Sequence, residues 1–219
     1  MKILAFEFSA RQRSVAALDG ACVTNLAEVV SEGTHAVPAL AMAEEVLGKA
    51  GLEREQVDAL VVGLGPGSYN GIRVALALAR GWELARPVRL LGLSTVDALA
   101  WQAASDGLTG HIAVVIDAQR GEVYLGEYEL QAGNAKPLKS LRLASPADVQ
   151  ACGAAGARVI GPEVQRWWPQ GTVIMPRAAT LARMILAGVP AAGTEHLEPI
   201  YLREVSFVKA PPPRVIPGL

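Results

Sequence analysis

The stretch 61–73, Val-Val-Gly-Leu-Gly-Pro-Gly-Ser-Tyr-Asn-Gly-Ile-Arg, running on to residue 85, constrains the fold more than any other part of the chain. Residues 58–63 are a short apolar run of strand length. Gly65, Pro66 and Gly67 then interrupt regular structure. Ser68 and Asn70 are both good N-cap residues for a helix beginning near Gly71. From 72 to 85 the residues are mostly Ala, Leu, Val and Ile, so this helix must be covered on nearly every side. Its small residues, Ala75, Ala77, Ala79 and Gly81, would let another helix approach closely. The loop amides at a helix N-terminus would suit an anion, yet the phosphate fingerprints fail. No Lys follows for a Walker loop, and G-x-G-x-x-G begun at Gly65 meets Asn70 where its last Gly belongs. A glycine turn that only feeds a strand into a packed helix is the competing reading.

The segments before this loop read as a meander. Strands are expected at 2–9, 14–18 and 22–30, with a hairpin turn at Asp19-Gly20. Pro38 sits where a helix takes its first residue, and Gly51 closes that helix at 51. After the central helix come a strand at 88–93 and a helix through 104, opened by Ser94-Thr95-Val96-Asp97. Residues 106–110, with two glycines, read as a linker.

A similar order then returns. Strands are expected at 111–117, 122–130 and 138–143, and a helix capped by Ser145 with Pro146 in its first turn. A strand at 158–160, a helical piece at 163–168, a strand at 172–175 and a helix at 178–186 follow. The order β-β-β-α-β-α-β-α gives a mixed sheet with helices on its faces. It is the topology of the ribonuclease H-like, actin-like α/β group. The expected architecture is two lobes with mixed sheets: a first lobe over 1–107, a reduced second lobe over 108–210 and an extended tail over 211–219.

Composition excludes several classes. The chain has 219 residues, 51% hydrophobic and 19% charged, with a net charge of −1. That is a globular composition, large enough to fold without disulfide or metal. Near-neutral charge leaves no overall electrostatic footprint for nucleic acid. Cys22 and Cys152 read as small hydrophobes rather than a disulfide framework. No secretory leader opens the chain and no uncharged apolar run is long enough to span a membrane, so a cytoplasmic location is expected.

The three histidines, His35, His111 and His196, lie far apart and none has an i, i+4 partner, so no metal site is expected. No G-x-S-x-G elbow surrounds Ser68, and nothing supports proteolysis. An actin-fold phosphotransferase needs acids at the ends of the first strands of both lobes. Glu7 and Asp117 sit at about those places, and an ATPase or phosphotransferase acting alone through them is the alternative reading. Phe8 and Gln119-Arg120 stand where phosphate-wrapping residues are expected, so Glu7 reads as a relic or a hydrogen-bonding residue rather than a metal ligand. Arg11 and Arg13 beside that loop read as solvated surface by default, or as contacts to a phosphate or partner.

Gly-Pro-Gly-Ser-Tyr-Asn-Gly-Ile-Arg at 65–73 closely resembles the GPGSFTGLR signature of the bacterial TsaB family, also called YeaZ. Ile3-Leu4-Ala5-Phe6-Glu7-Phe8-Ser9 with Ser14-Val15-Ala16 is similar to the family's opening ILAIDTS…SVA. Asp117 to Tyr124 resembles its DARRGEVY, and Pro199-Ile200-Tyr201-Leu202-Arg203 its terminal P-x-YLR. The resemblance implies the actin-like fold and a non-catalytic role in making threonylcarbamoyladenosine in tRNA. The implied partners are a TsaD-like catalytic subunit and a TsaE-like ATPase, or a second copy of the chain when alone, with tRNA contacted only indirectly. It further implies an interface on two first-lobe helices, through Leu40, Ala43, Leu47, Ile72, Ala75, Leu76 and Ala79. The candidate phosphate loop is Glu7, Ser9, Gly65, Gly67, Ser68 and Asp117. Glu7-Phe8 for Asp-Thr and Asn70 for Thr depart from the family where a nucleotide phosphate would be held. No cofactor is therefore expected to be required, and any binding of ATP or ADP should be weak.

Overall fold

The computed structural model describes residues 1–21, 25–33 and 38–203. The expectations for Cys22, His35 and the tail 211–219 lie outside them. The meander forms as β1 (Lys2–Glu7), β2 (Arg13–Asp19) and β3 (Leu26–Ser31), each antiparallel to its neighbour. The turn between β2 and β3 is longer than Asp19-Gly20 alone: the last pair of that ladder is Leu18↔Leu26. Next come α1 (Ala39–Ala50), β4 (Ala59–Gly63), α2 (Tyr69–Ala85), β5 (Arg89–Leu93) and α3 (Thr95–Ser105). Pro38 stands just outside α1 rather than as its first residue, and Gly51 ends it in the left-handed region at φ 63°. Ser68, not Asn70, caps α2 by accepting from Gly71 N.

The second half gives β6 (Gly110–Asp117), β7 (Val123–Gln131), β8 (Asn134–Ala144), α4 (Pro146–Ala154), β9 (Arg158–Gly161), β10 (Thr172–Val173), α5 (Ala178–Leu186) and β11 (Ala192–Gly193). Ser145 and Asp148 start α4 with reciprocal capping hydrogen bonds. The sheets run β11-β5-β4-β1-β2-β3 and β10-β9-β6-β7-β8. Five strands of each follow one topology: an antiparallel meander, then two parallel strands added on the far side of its first strand. The expected duplication is thus present in the strand order, and the two mixed-sheet lobes make the fold actin-like. The second lobe is reduced at one place. Where the first has the 17-residue α2, the second has a single 3-10 turn, Val164–Arg166.

Strand periodicity divides the core into four layers. Leu4 and Phe6 of β1 point to one face, under α1 and α2; Ile3 and Ala5 point to the other. In β6, Ile112, Val114 and Ile116 face α3, while Ala113 and Val115 face α4. The lobe boundary expected at 107/108 does not hold at the C-terminal end. α5 packs its Ala178, Leu181, Ala182 and Met184 on Ile3, Ala5, Ala16 and Leu18 of the first sheet. β11 extends that same sheet beyond β5. Conversely α3, which follows the first sheet, buries Val96, Leu99, Ala100 and Ala103 on the second. Each lobe is completed by a helix from the other half of the chain.

α1 and α2 cover the same face of the first sheet, but they do not pack closely along their length. A groove of about 820 Å³ runs between them, lined by Leu40, Ala43, Leu47, Ala77, Leu78 and Trp82, among others. Of the expected interface residues, Leu40 lines this groove in solvent and Ala43 and Leu47 line it as buried residues, whereas Ile72, Ala75 and Ala79 lie in the lobe's own core and Leu76 is half-buried. Apolar residues left in solvent on these two helices include Leu40 (57% exposed), Val74, Ala77 and Leu84 (89% exposed).

Candidate functional site

The strand order sets up a cleft between the lobes. The loops after β1 and β4 in the first sheet, and after β6 and β9 in the second, leave equivalent strand ends and face one another. They enclose about 400 Å³, lined by Ser9, Arg11, Gly67, Ser68, Tyr69, Asn70, Asp117, Gln119 and Glu163. In open α/β sheets, ligands bind at such strand ends.

Of the candidate phosphate-loop residues, Ser9, Gly67, Ser68 and Asp117 meet in this cleft. Gly65 does not line it; Gly65 is buried, with Ile72 against it. Glu7 lies beneath, fully buried. Its carboxylate accepts from Ser9 N at 2.8 Å and from Thr95 Oγ1 at 3.1 Å. Gly63 makes room for it: a Cβ there would stand 2.1 Å from Glu7 Oε2. Burial pushes the Glu7 carboxyl above its ordinary 4.5, against the pull of the hydrogen bonds from Ser9 and Thr95. The sequence reading of Glu7 as a hydrogen-bonding residue agrees with this geometry.

The glycine loop is held tightly from below. Ser68 N donates to Ser9 O at 2.6 Å, Gly71 N to Ser68 Oγ at 3.3 Å and Ile72 N to Ser68 O at 3.0 Å. A Cβ on Gly67 would come within 2.2 Å of Ser9 O, and one on Gly71 within 1.9 Å of Phe8 O. The amides of Ser68, Gly71 and Ile72 are thus occupied by the chain itself, and the carbonyls of Ser9 and Phe8 lie beneath the loop. Across the cleft, Asp117 accepts from Gln119 N at 2.7 Å and pairs with Arg166 at 2.8 Å. Burial, and then the charge of Asp117, push the Glu163 carboxyl up. The second-lobe wall of the cleft carries the two carboxylates of Asp117 and Glu163. Arg11 lines the cleft, while Arg13 lies over the Phe8 ring at 5.6 Å.

Among the described residues no three His, Cys, Asp or Glu side chains cluster as metal ligands would. His111 stands 3.3 Å from Glu127, which also binds Lys139 at 2.8 Å. The half-buried Cys152 thiol is pushed up, chiefly by burial. Sequence reasoning missed Glu163 and Thr95. Glu163 had a signal: it follows Gly161-Pro162 in the second copy of the element order, as Gly67-Ser68 follows Gly65-Pro66 in the first.

A family model for TsaD, tRNA N6-adenosine threonylcarbamoyltransferase, matches residues 28–203. The chain belongs to the TsaD family, in its TsaB (YeaZ) branch. The tRNA threonylcarbamoyladenosine biosynthesis protein TsaB of Escherichia coli (strain K12) is 26% identical over 229 residues, covering 96% of this chain and 99% of that one. Its counterpart in Haemophilus influenzae is 33% identical over 127 residues, 58% of this chain and 53% of that one. The structure of YeaZ from Pseudomonas aeruginosa superposes with a TM-score of 0.76 at 26% identity, covering 92% of this chain and 99% of that one. The TsaB resemblance read from residues 65–73 and the three flanking motifs is therefore borne out. Among the described residues no helix is long and apolar enough to cross a membrane.

Proposed function

We propose that this TsaB-branch chain is a non-catalytic subunit of the complex that installs threonylcarbamoyl on tRNA adenosine. It binds and stabilises a TsaD-like catalytic subunit, with a TsaE-like ATPase as a third component, in the cytoplasm. One observation carries the reading: the groove of about 820 Å³ between α1 and α2, lined by exposed Leu40 and Ala77. Monomeric proteins rarely leave such a surface uncovered, and a pair of apolar helices laid against α1 and α2 would complete a four-helix layer. A second copy would present the same groove, so the chain alone pairs with itself and exchanges that partner for the catalytic subunit. Glu7, held by Ser9 and Thr95, and Asp117, paired with Arg166, support a subunit that needs no cofactor and binds ATP or ADP weakly at most.

The test is light scattering on a sizing column, with the chain alone and mixed with the TsaD homologue of the same organism. A homodimer giving way to a mixed complex is expected. Ala77→Arg and Leu40→Arg, both on exposed positions, should abolish it while shifting stability by only about 0.5 kcal/mol. Ala75→Arg is no test, since Ala75 is core. A wild-type monomer that ignores the homologue would sink the proposal. Tight magnesium–ATP binding with turnover, seen by isothermal titration of the chain alone, would favour the stand-alone phosphotransferase instead.

A further inference from the structure

α2 carries two unlike surfaces. At 1.5 Å per residue it is about 25 Å long. The groove follows its C-terminal half, and a different patch sits at its first turn. There the Tyr69 and Tyr201 rings, 52% and 42% exposed, lie 5.4 Å apart with an angle of 32° between their planes. One turn on, Arg73 lays its guanidinium over the Tyr69 ring at 5.1 Å and donates to the Tyr69 hydroxyl. Two of the chain's four tyrosines thus stack in solvent instead of filling a core.

The patch is fixed from both lobes. Ile200 N donates to Leu64 O at 2.8 Å, and Arg203 donates to Ala118 O at 3.0 Å and to Glu122 at 2.6 Å. Arg203 thereby braces a loop in which Gln119 and Arg120 stand at φ 63° and 57°, conformations that are costly for non-glycine residues. The local charge is positive. Asp117 and Glu122 are taken by Arg166 and Arg203, whereas exposed Arg73 and Arg120 form no ion pair among the described residues. The immediate surroundings are polar: Ser68, Asn70 and Gln119.

We infer that Tyr69, Tyr201 and Arg73 form a stacking platform for unpaired bases of RNA, with Arg120 on its rim for phosphate. Bases stack on aromatic rings and guanidinium planes whatever their identity. The choice of RNA rests on the proposed function, and it adds a direct contact where the sequence suggested only an indirect one.

The test uses the full chain, alone and assembled with the TsaD homologue, titrated into a fluorescein-labelled RNA hairpin with an unpaired loop. Tyr69→Ala/Tyr201→Ala should weaken binding by roughly tenfold or more, while Tyr69→Phe/Tyr201→Phe keeps it. Arg73→Ala/Arg120→Ala should flatten the dependence of log affinity on log salt by roughly 0.7 for each phosphate left without its arginine. Irradiation of the native protein with bromouridine-substituted hairpin should give adducts at Tyr69 or Tyr201. Unchanged affinity in the alanine variant, or adducts only elsewhere, would overturn the platform. So would a variant that loses the TsaD homologue but keeps the RNA, which would make the patch a protein contact. An assembled wild-type complex that ignores the hairpin removes the platform and leaves the subunit reading standing. Tyrosine-dependent RNA binding by a chain that never assembles does the reverse.

Discussion

At the residue scale, Glu7 shows how a position can look catalytic and act as a clamp. Its place at the end of the first strand suggested an acid for phosphate chemistry. The structure places the carboxylate under the cleft, between Ser9 N and Thr95 Oγ1, in space that only a glycine at 63 leaves open. Because burial raises its pKa, the folded state holds the Glu7 proton more tightly than the unfolded chain does. Stability is therefore lost as pH rises from the ordinary 4.5 through the raised value. Glu7→Gln should gain on the native protein at pH 8 and lose that advantage toward pH 4, read as urea midpoints. A variant weaker at pH 8 than at pH 4 would mean that the ionised group is needed.

At the element scale, α5 illustrates a helix started by a distant strand. Its own N-cap residue, Arg177, offers no capping side chain. Instead Ser14 Oγ accepts from Ala178 N at 2.9 Å, and Glu28 accepts from Ala179 N at 3.1 Å and pairs with Arg177. Glu28 also accepts from Ser14 Oγ at 2.5 Å. Removing it leaves two donors in a nearly dry site. Glu28→Ala should cost about 2–3 kcal/mol in denaturant unfolding, where a solvated surface glutamate would cost less than about 0.5. A change within that smaller range would show that water replaces the cap.

At the scale of the whole molecule, the exchange of α3 and α5 makes each lobe depend on the other half of the chain. A fragment ending at residue 107 lacks α5 and β11 and would expose Ile3, Ala5, Ala16, Leu18 and Val61 together. It should remain unfolded by circular dichroism, while the whole chain melts in one cooperative transition. A folded fragment would restore the sequence-based boundary at 107.

The strands β1 and β6, the caps of α2 and α4, and the repeated strand order were legible in the residues, because each depends on neighbours a few positions apart. So was the branch, since the 65–73 loop is constrained atom by atom: Gly67 and Gly71 press on the carbonyls of Ser9 and Phe8. Three things only the tertiary structure decided. It turned Ala75 and Ala79 inward and left Ala77 and Leu84 out, because a helix of small apolar residues does not declare which stripe meets the sheet. It returned α5 to the first sheet, a pairing across more than 150 positions that no local pattern encodes. And it brought Glu163 opposite Ser9, and Tyr201 against Tyr69, by closing two lobes whose facing loops are far apart in the chain.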